Sequence, residues 1–402
     1  MNTSYKAWVE CMEVSDDAVI QILPEGVCID SLFSQLAISY ARINQFQFEN
    51  YRVRIESDIQ TMECSKMGQQ CEWFYNELKD FYNQRVLKAF GVSGNMEFET
   101  NGFCFFDGWK GRSTIRIYED CICILPPNMY GRRLPFVFIN GMKREDYAVS
   151  LRLSSGEIYQ FSMMGRDFDP FVQEVMTHIR AQKEENIKFI QKLDDTIGLM
   201  EATKLSSVFS EGILISIRQL LQTSLKLEQC IRSKIMKSKI RYSVKQMEAL
   251  CDSEKMCIGI KEIPEEQLAN QLAKIQETNP EFSIEDQEAL RWSLWAAAPS
   301  KNEKKAIVEF CIPMEATATY VFQIESSWEE FISDLNLGME ATDWARELLT
   351  LPENELMFES NDLSFMLIQR TTSIQSLRRQ YFGRIIHRSE EQWKKELERI
   401  LN

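Results

Sequence analysis

The sequence predicts an α+β protein: two tandem antiparallel sheets, each closed by a C-terminal helix, followed by a mixed α+β region. Short runs of alternating apolar and polar residues recur through the first 165 positions, at the period of half-buried strands. One block of sequence also occurs twice. Asn50-Tyr51-Arg52-Val53-Arg54-Ile55 leads, after a turn, to Met62-Glu63-Cys64-Ser65-Lys66-Met67-Gly68. Asp146-Tyr147-Ala148-Val149-Ser150-Leu151 leads likewise to Tyr159-Gln160-Phe161-Ser162-Met163-Met164-Gly165. Each copy ends in Ser-x-Met-Gly and enters a helical pattern with an aromatic at one fixed distance, Met67 to Phe74 and Met164 to Phe171. A repeated supersecondary unit sets the architecture ahead of any motif.

In the first repeat, β-type runs begin at Ala7 and fall at 18–23, 27–30, 36–43, 51–56 and 60–65. Asp16-Asp17, Pro24-Glu25-Gly26 and Glu49-Asn50 supply turns between them. Trp73, Phe74, Leu78, Phe81 and Tyr82 form the apolar face of the closing helix, and Gly91, Gly94 and Asn95 mark its end. The second repeat has strand signals at 103–106, 114–118, 121–125, 134–139, 147–153 and 158–161. Its helix is expected to open at Asp169-Pro170, a favoured N-cap followed by proline at the first helical position. Phe171, Val172, Val175, Met176 and Ile179 are its expected buried face. These boundaries give domains at 1–95, 96–195 and 196–402.

The third region changes character. A helical stretch at 214–236 precedes a strand at 256–260 and a helix from Pro264 carrying Leu268, Leu272 and Ile275. Ser283-x-x-Asp286 reads as a capping box opening a helix with Leu290, Trp292 and Leu294. Strands at 306–312 and 317–324 feed a helix capped by Ser327-x-x-Glu330. A last strand at 382–387 runs into Ser389-x-x-Gln392 and a helix with Trp393, Leu397 and Ile400. The strand, strand, capped-helix order suggests a degenerate third copy of the sheet.

The repeat, the strand count and the closing helix resemble the pleckstrin-homology-like (PH-like) barrel, twice over, across residues 1–195. That resemblance implies two bent antiparallel sheets, each plugged by its helix. It also implies binding of a peptide or protein along an exposed strand edge or the groove beside the helix. In lipid-binding members of the family, the first hairpin holds lysine and arginine that grip inositol phosphates. Lys110, Arg112 and Arg116 match that pattern in part, with Thr114 where a further arginine is expected. The matching hairpin of the first repeat carries Glu13, Asp16 and Asp17, which repel phosphate.

Charge narrows the function further. The 402 residues carry a formal net charge of −14, so nucleic acid and anionic lipid are repelled unless cations cluster locally. They do so in two places. Residues 231–245 contain Arg232, Lys234, Lys237, Lys239, Arg241 and Lys245 without an acid. Residues 363–389 contain Arg370, Arg378, Arg379, Arg384 and Arg388, interleaved with Phe365, Tyr381 and Phe382. Arginine with aromatics suits single-stranded nucleic acid, but in so acidic a chain the same cations find the protein's own carboxylates or a partner's.

Signatures of catalysis are missing. Only His178 and His387 are available to a His-dependent site, and neither has a nucleophile in a recognisable local setting. Neighbouring acids such as Glu265-Glu266 and Glu329-Glu330 fall in first helical turns, where they complement the helix dipole. The 11 cysteines show no C-x-x-C spacing, and most, including Cys28, Cys104, Cys121, Cys123, Cys257 and Cys311, sit in apolar, β-type runs, so they read as reduced core thiols in a cytoplasmic protein. The N-terminus lacks a secretory layout, and no apolar stretch is long enough to span a membrane. The expectation is a non-enzymatic scaffold or adaptor that binds a protein or peptide partner, with no cofactor and no metal. Anion, phospholipid-headgroup or nucleic-acid binding through the basic residues is one alternative; a hydrolase with its site in 196–402 is another.

Overall fold

The structure, a computed structural model, describes residues 4–278, 290–313 and 317–401. It divides into two compact units: residues 1–179 with 341–375, and residues 180–340 with 376–402.

The first unit holds two seven-stranded antiparallel sheets. One is built from β1 (Ser4–Glu10), β2 (Ser15–Ile22), β3 (Gly26–Ser31), β4 (Gln35–Ser39), β5 (Ile43–Glu49), β6 (Arg52–Ser57) and β7 (Thr61–Ser65). The other is built from β8 (Phe98–Phe106), β9 (Trp109–Ile117), β10 (Cys121–Leu125), β11 (Arg132–Pro135), β12 (Ile139–Arg144), β13 (Ala148–Leu153) and β14 (Ile158–Ser162). The strand orders are β4-β3-β2-β1-β7-β6-β5 and β11-β10-β9-β8-β14-β13-β12, the same permutation twice. In each, the seventh strand returns to pair with the first, Val9 opposite Cys64 and Cys104 opposite Phe161. The fourth and fifth strands are left as opposite edges, so neither sheet closes into a barrel.

The twice-occurring Ser-x-Met-Gly is the turn from the last strand into the closing helix. Lys66 and Met163 take φ of 61° and 55°, and Gly68 and Gly165 take 55° and 59°. These left-handed positions swing the chain so that the intervening methionine enters the core, with Met67 and Met164 buried. The aromatics behind them, Phe74 and Phe171, are both fully buried. Helix α1 (Gln70–Ala89) follows the first sheet and α2 (Phe168–Leu193) the second.

Three local expectations are corrected here. The runs 36–43 and 134–139 are each two strands joined by a 3-10 turn, Tyr40–Arg42 and Phe136–Phe138. Tyr40, Ala41, Phe136 and Phe138 are buried, so the apolar signal continues through the corner and hides the change of direction. Helix α2 begins at Phe168, which puts Pro170 in the first turn, where its missing N–H costs nothing. Met176 faces outward, and His178 occupies the buried face instead.

Residues 341–375 join this unit through helix Asp362–Arg370, which lies against α1 and the corner turn Tyr40–Arg42. Ser39 donates to the Asp362 carboxylate, and the Arg42 guanidinium lies 4.5 Å from the Phe365 ring centre. Arg370 is 1% exposed; it donates to the Tyr82 hydroxyl at 2.7 Å and to the Met366 carbonyl at 3.2 Å.

The second unit is organised on a six-stranded antiparallel sheet in sequential order: β15 (Ile215–Ser216), β16 (Cys257–Glu262), β17 (Trp292–Pro299), β18 (Lys305–Cys311), β19 (Ala318–Gln323) and β20 (Tyr381–Ile386). It lacks the return of the last strand to the first that marks the other two. Trp292 and Leu294 lie on strand β17, not on a helix. All eight residues of that strand are buried, so the alternation that identifies a half-exposed strand is absent. The expected box Ser283-x-x-Asp286 lies outside the described residues. The helical stretch at 214–236 is split into Ile217–Thr223 and Leu225–Lys237, with Ser224 accepting from the Leu227 N–H at 3.3 Å as the second helix's cap. Ser327 and Ser389 cap as expected, accepting from the N–H groups of Glu330 and Gln392 at 3.1 and 3.3 Å.

All 11 cysteines are free. Burial pushes the Cys104, Cys251 and Cys257 thiols up to about 12. At pH 8 such a thiol is roughly one part in ten thousand thiolate, the reactive form. Brief alkylation of the native protein at pH 8 is therefore expected to label the half-buried Cys11 and Cys28 and to spare these three. Mass spectrometry of the labelled peptides checks it; early modification of Cys104 would contradict the packing.

Candidate functional site

The hairpin register of the first sheet brings three turns to one end. β1 and β2 close at Glu10 opposite Ser15, β3 and β4 at Asp30 opposite Gln35, and β6 and β7 at Glu56 opposite Thr61. The strands between pair so that the three closures sit side by side, Ala18 with Ser31 and Glu10 with Glu63. The Met12 N–H donates to the Gln60 side-chain carbonyl at 3.2 Å and ties the first turn to the third. Each tip carries large apolar side chains in water: Met12 at 86% exposure, Leu32 at 79%, Phe33 at 87% and Ile59 at 71%. Scattered apolar residues are ordinary on a surface, but four on adjacent tips form a patch.

The patch has a defined frame. Ser31 and Ser34 bond to each other across the β3–β4 turn, fixing the loop that presents Leu32 and Phe33. Acids surround it: Glu13, Asp16, Asp17, Asp30 and Asp58 lie in the same turns or their flanking strand ends. Behind Leu32, a groove of about 500 Å³ crosses the outer face of β1, β2 and β3, lined by Lys6, Trp8, Asp17, Val19, Asp30 and Lys66. The Lys66 ammonium lies 3.8 Å from the Trp8 ring centre, held there by the left-handed turn described above.

Sequence reading did not single out Met12, Leu32, Phe33 or Ile59. The available signal was Leu32-Phe33 lying between two strands, where turn formers normally stand.

A second cavity, of about 430 Å³, lies between α1 and the second sheet, lined by Tyr75, Lys79, Asn101, Arg112, Thr114 and Met163 among others. Tyr75 is held by Phe46 and Phe48, with ring centres 5.7 Å away in both cases. Burial raises its hydroxyl above the usual tyrosine range. Thr114 donates to the Asn101 side-chain oxygen Oδ1 at 3.1 Å. Met163 is 73% exposed at the rim of this cavity.

The basic residues expected to bind anions stand in different surroundings. Lys110, Arg112 and Arg116 share one face of β9, but Arg116 is spent on Glu99 at 2.6 Å and only Arg112 lines the cavity. Arg370 is buried in the first unit as described, which removes it from any surface cluster. Arg378, Arg379, Arg384 and Arg388 belong to the second unit. Arg379 lies 4.0 Å from Glu325, and Arg384 and Arg388 are exposed on and just beyond β20. In the other basic stretch, Arg232 bridges Glu228 and Glu248 at 2.6 and 2.7 Å, which is the use of cations expected in an acidic chain.

His387 is engaged in a buried network. Its Nε2 lies 2.9 Å from Glu309 and 3.0 Å from the Thr319 hydroxyl, while Trp393 Nε1 donates to that hydroxyl at 2.6 Å. A relay needs one ring nitrogen for the carboxylate and the other for the nucleophile. Here Nε2 faces both, Thr319 is fully buried, and its hydroxyl donates to Glu309. The cluster is built to hold a buried carboxylate.

No family model matches the sequence, and no curated protein matches it. Among solved structures, the chain is similar to one in the "Structure of the Spt16D Pob3N heterodimer", at 11% identity and a TM-score of 0.18, over 39% of this chain and 85% of that chain. A likeness of that size carries no argument about fold or partners. No helix among the described residues is long and apolar enough to cross a membrane.

Proposed function

We propose that this protein is a non-enzymatic interaction protein of PH-like construction, with domains at 1–95, 96–195 and 196–402, whose first sheet docks a protein partner through the tips carrying Met12, Leu32, Phe33 and Ile59. The exposed apolar patch is the observation that carries the reading. The repeated strand order with its closing helices supports the PH-like part. The ring of acids selects the partner: an apolar pocket bordered by lysine or arginine fits, whereas a nucleic acid or an anionic membrane is repelled. The test is affinity capture from native extract with nuclease present, comparing the wild-type protein with a Leu32→Ser/Phe33→Ser variant. A partner retained after nuclease and lost in the variant supports the reading. Equal retention by both overturns it.

A second reading rests on the cavity between α1 and the second sheet, where Lys79 and Arg112 stand without a lining carboxylate. It makes the second repeat an anion binder. Retention of the protein on heparin at low salt, lost in a Lys79→Ala/Arg112→Ala variant, is the expected outcome. Retention unaffected by the two substitutions would remove this reading.

A further inference from the structure

His178 lies on the buried face of α2, with its ring stacked on Phe136 at 4.9 Å and 8°. Its Nδ1 lies 3.2 Å from the Glu119 carbonyl oxygen. A carbonyl only accepts, so Nδ1 carries the proton and Nε2 is turned the other way. There it meets two carboxylates, Glu97 at 3.0 Å and Glu174 at 3.4 Å. The histidine is 7% exposed, and its Nε2 has no hydrogen-bond donor or acceptor in good geometry. A ring nitrogen and two carboxylates turned toward one point, with no donor between them, call for positive charge at their centre.

We propose that Glu97, Glu174 and His178 bind one divalent transition-metal ion of the zinc class. Their three ligand atoms lie within 4.8 Å of one another. A tetrahedral ion about 2.0–2.1 Å from nitrogen and oxygen ligands sets those ligands about 3.4 Å apart, close to the spacings of Nε2 to the two carboxylates. Glu174 and His178 are four apart on one helix face, so both reach one point. Glu97 comes from the residue before β8, anchored by its N–H to the Ile117 carbonyl at 3.0 Å. The Nδ1 contact to a backbone carbonyl is the outer-shell bond that orients a metal-bound imidazole. Glu97 and Glu174 are 42% and 34% exposed, which opens an entry path and leaves room for a water as fourth ligand. Two carboxylates and a neutral imidazole balance the charge of a divalent ion. The ion ties the closing helix to the first strand of its sheet.

The experiment is a titration of the full-length protein with Co²⁺ followed by visible absorption, then displacement by Zn²⁺. One equivalent with nitrogen and oxygen ligation, lacking the intense thiolate charge-transfer bands that the free cysteines give, is the expected result. Glu97→Gln and Glu174→Gln each weaken it by at least the roughly tenfold typical of a lost outer-shell partner. Both side chains reach solvent, so these variants fold even if His178→Gln does not. No stoichiometric binding, thiolate bands, or binding unchanged in both glutamine variants overturns the proposal.

Discussion

Replacing Leu32 and Phe33 with serine is expected to weaken partner binding by roughly thirtyfold while leaving stability nearly unchanged. The two effects separate because both side chains are in water in the free protein, at 79% and 87% exposure. A surface change of this kind moves stability by no more than about 0.5 kcal/mol. In a complex the same side chains become the desolvated anchors, and truncating such an anchor costs about 2 kcal/mol or more. Capture yield and thermal melting of the same two samples check both halves. A fall in melting temperature matching the loss of capture would mean that the turn, and not the contact, was damaged.

Glu309→Ala is expected to destabilise the second unit by about 3 kcal/mol. The carboxylate, on the central strand β18, is fully buried, 2.9 Å from His387 Nε2 and accepting from Thr319. Removing it strands the imidazole and the hydroxyl, and Trp393 loses the fixed acceptor that orients its indole. His387→Gln should cost less, because His387 reaches solvent at 23% side-chain exposure and glutamine can still donate to Glu309. Urea unfolding followed by the fluorescence of the eight tryptophans, Trp393 among them, measures the loss. A shift below about 1 kcal/mol for Glu309→Ala would show that the network tolerates the loss by admitting water.

The repeat and the strands were legible because they depend on local pattern. Ser-x-Met-Gly can be read as a unit since two left-handed turn positions and one core methionine are all encoded within four residues. The corners at Tyr40–Arg42 and Phe136–Phe138 were not, because burial there is continuous and alternation carries no mark of a bend. Strand β17 was misread for the same reason, being buried along its whole length. The candidate surface depends on which turns share an end of a sheet, and that is set by register, which a linear reading does not contain. Arg370 shows the same limit from the other side. It sits in an acid-free stretch that looks like a surface cluster, yet helix Asp362–Arg370 packs on α1 and takes it into the core. The Glu97, Glu174 and His178 cluster escaped because a search for ligands by spacing finds cysteine and histidine pairs, and Glu97 is remote from the helix that carries the other two.

Amide hydrogen exchange of the protein alone and with its captured partner tests the central claim most directly. The reading predicts new protection at the turns 11–14, 31–34 and 57–60, which are joined only through the fold of the first sheet. Protection confined to the cavity of Lys79 and Arg112, or to residues 378–388, would contradict it and move the binding function to that surface.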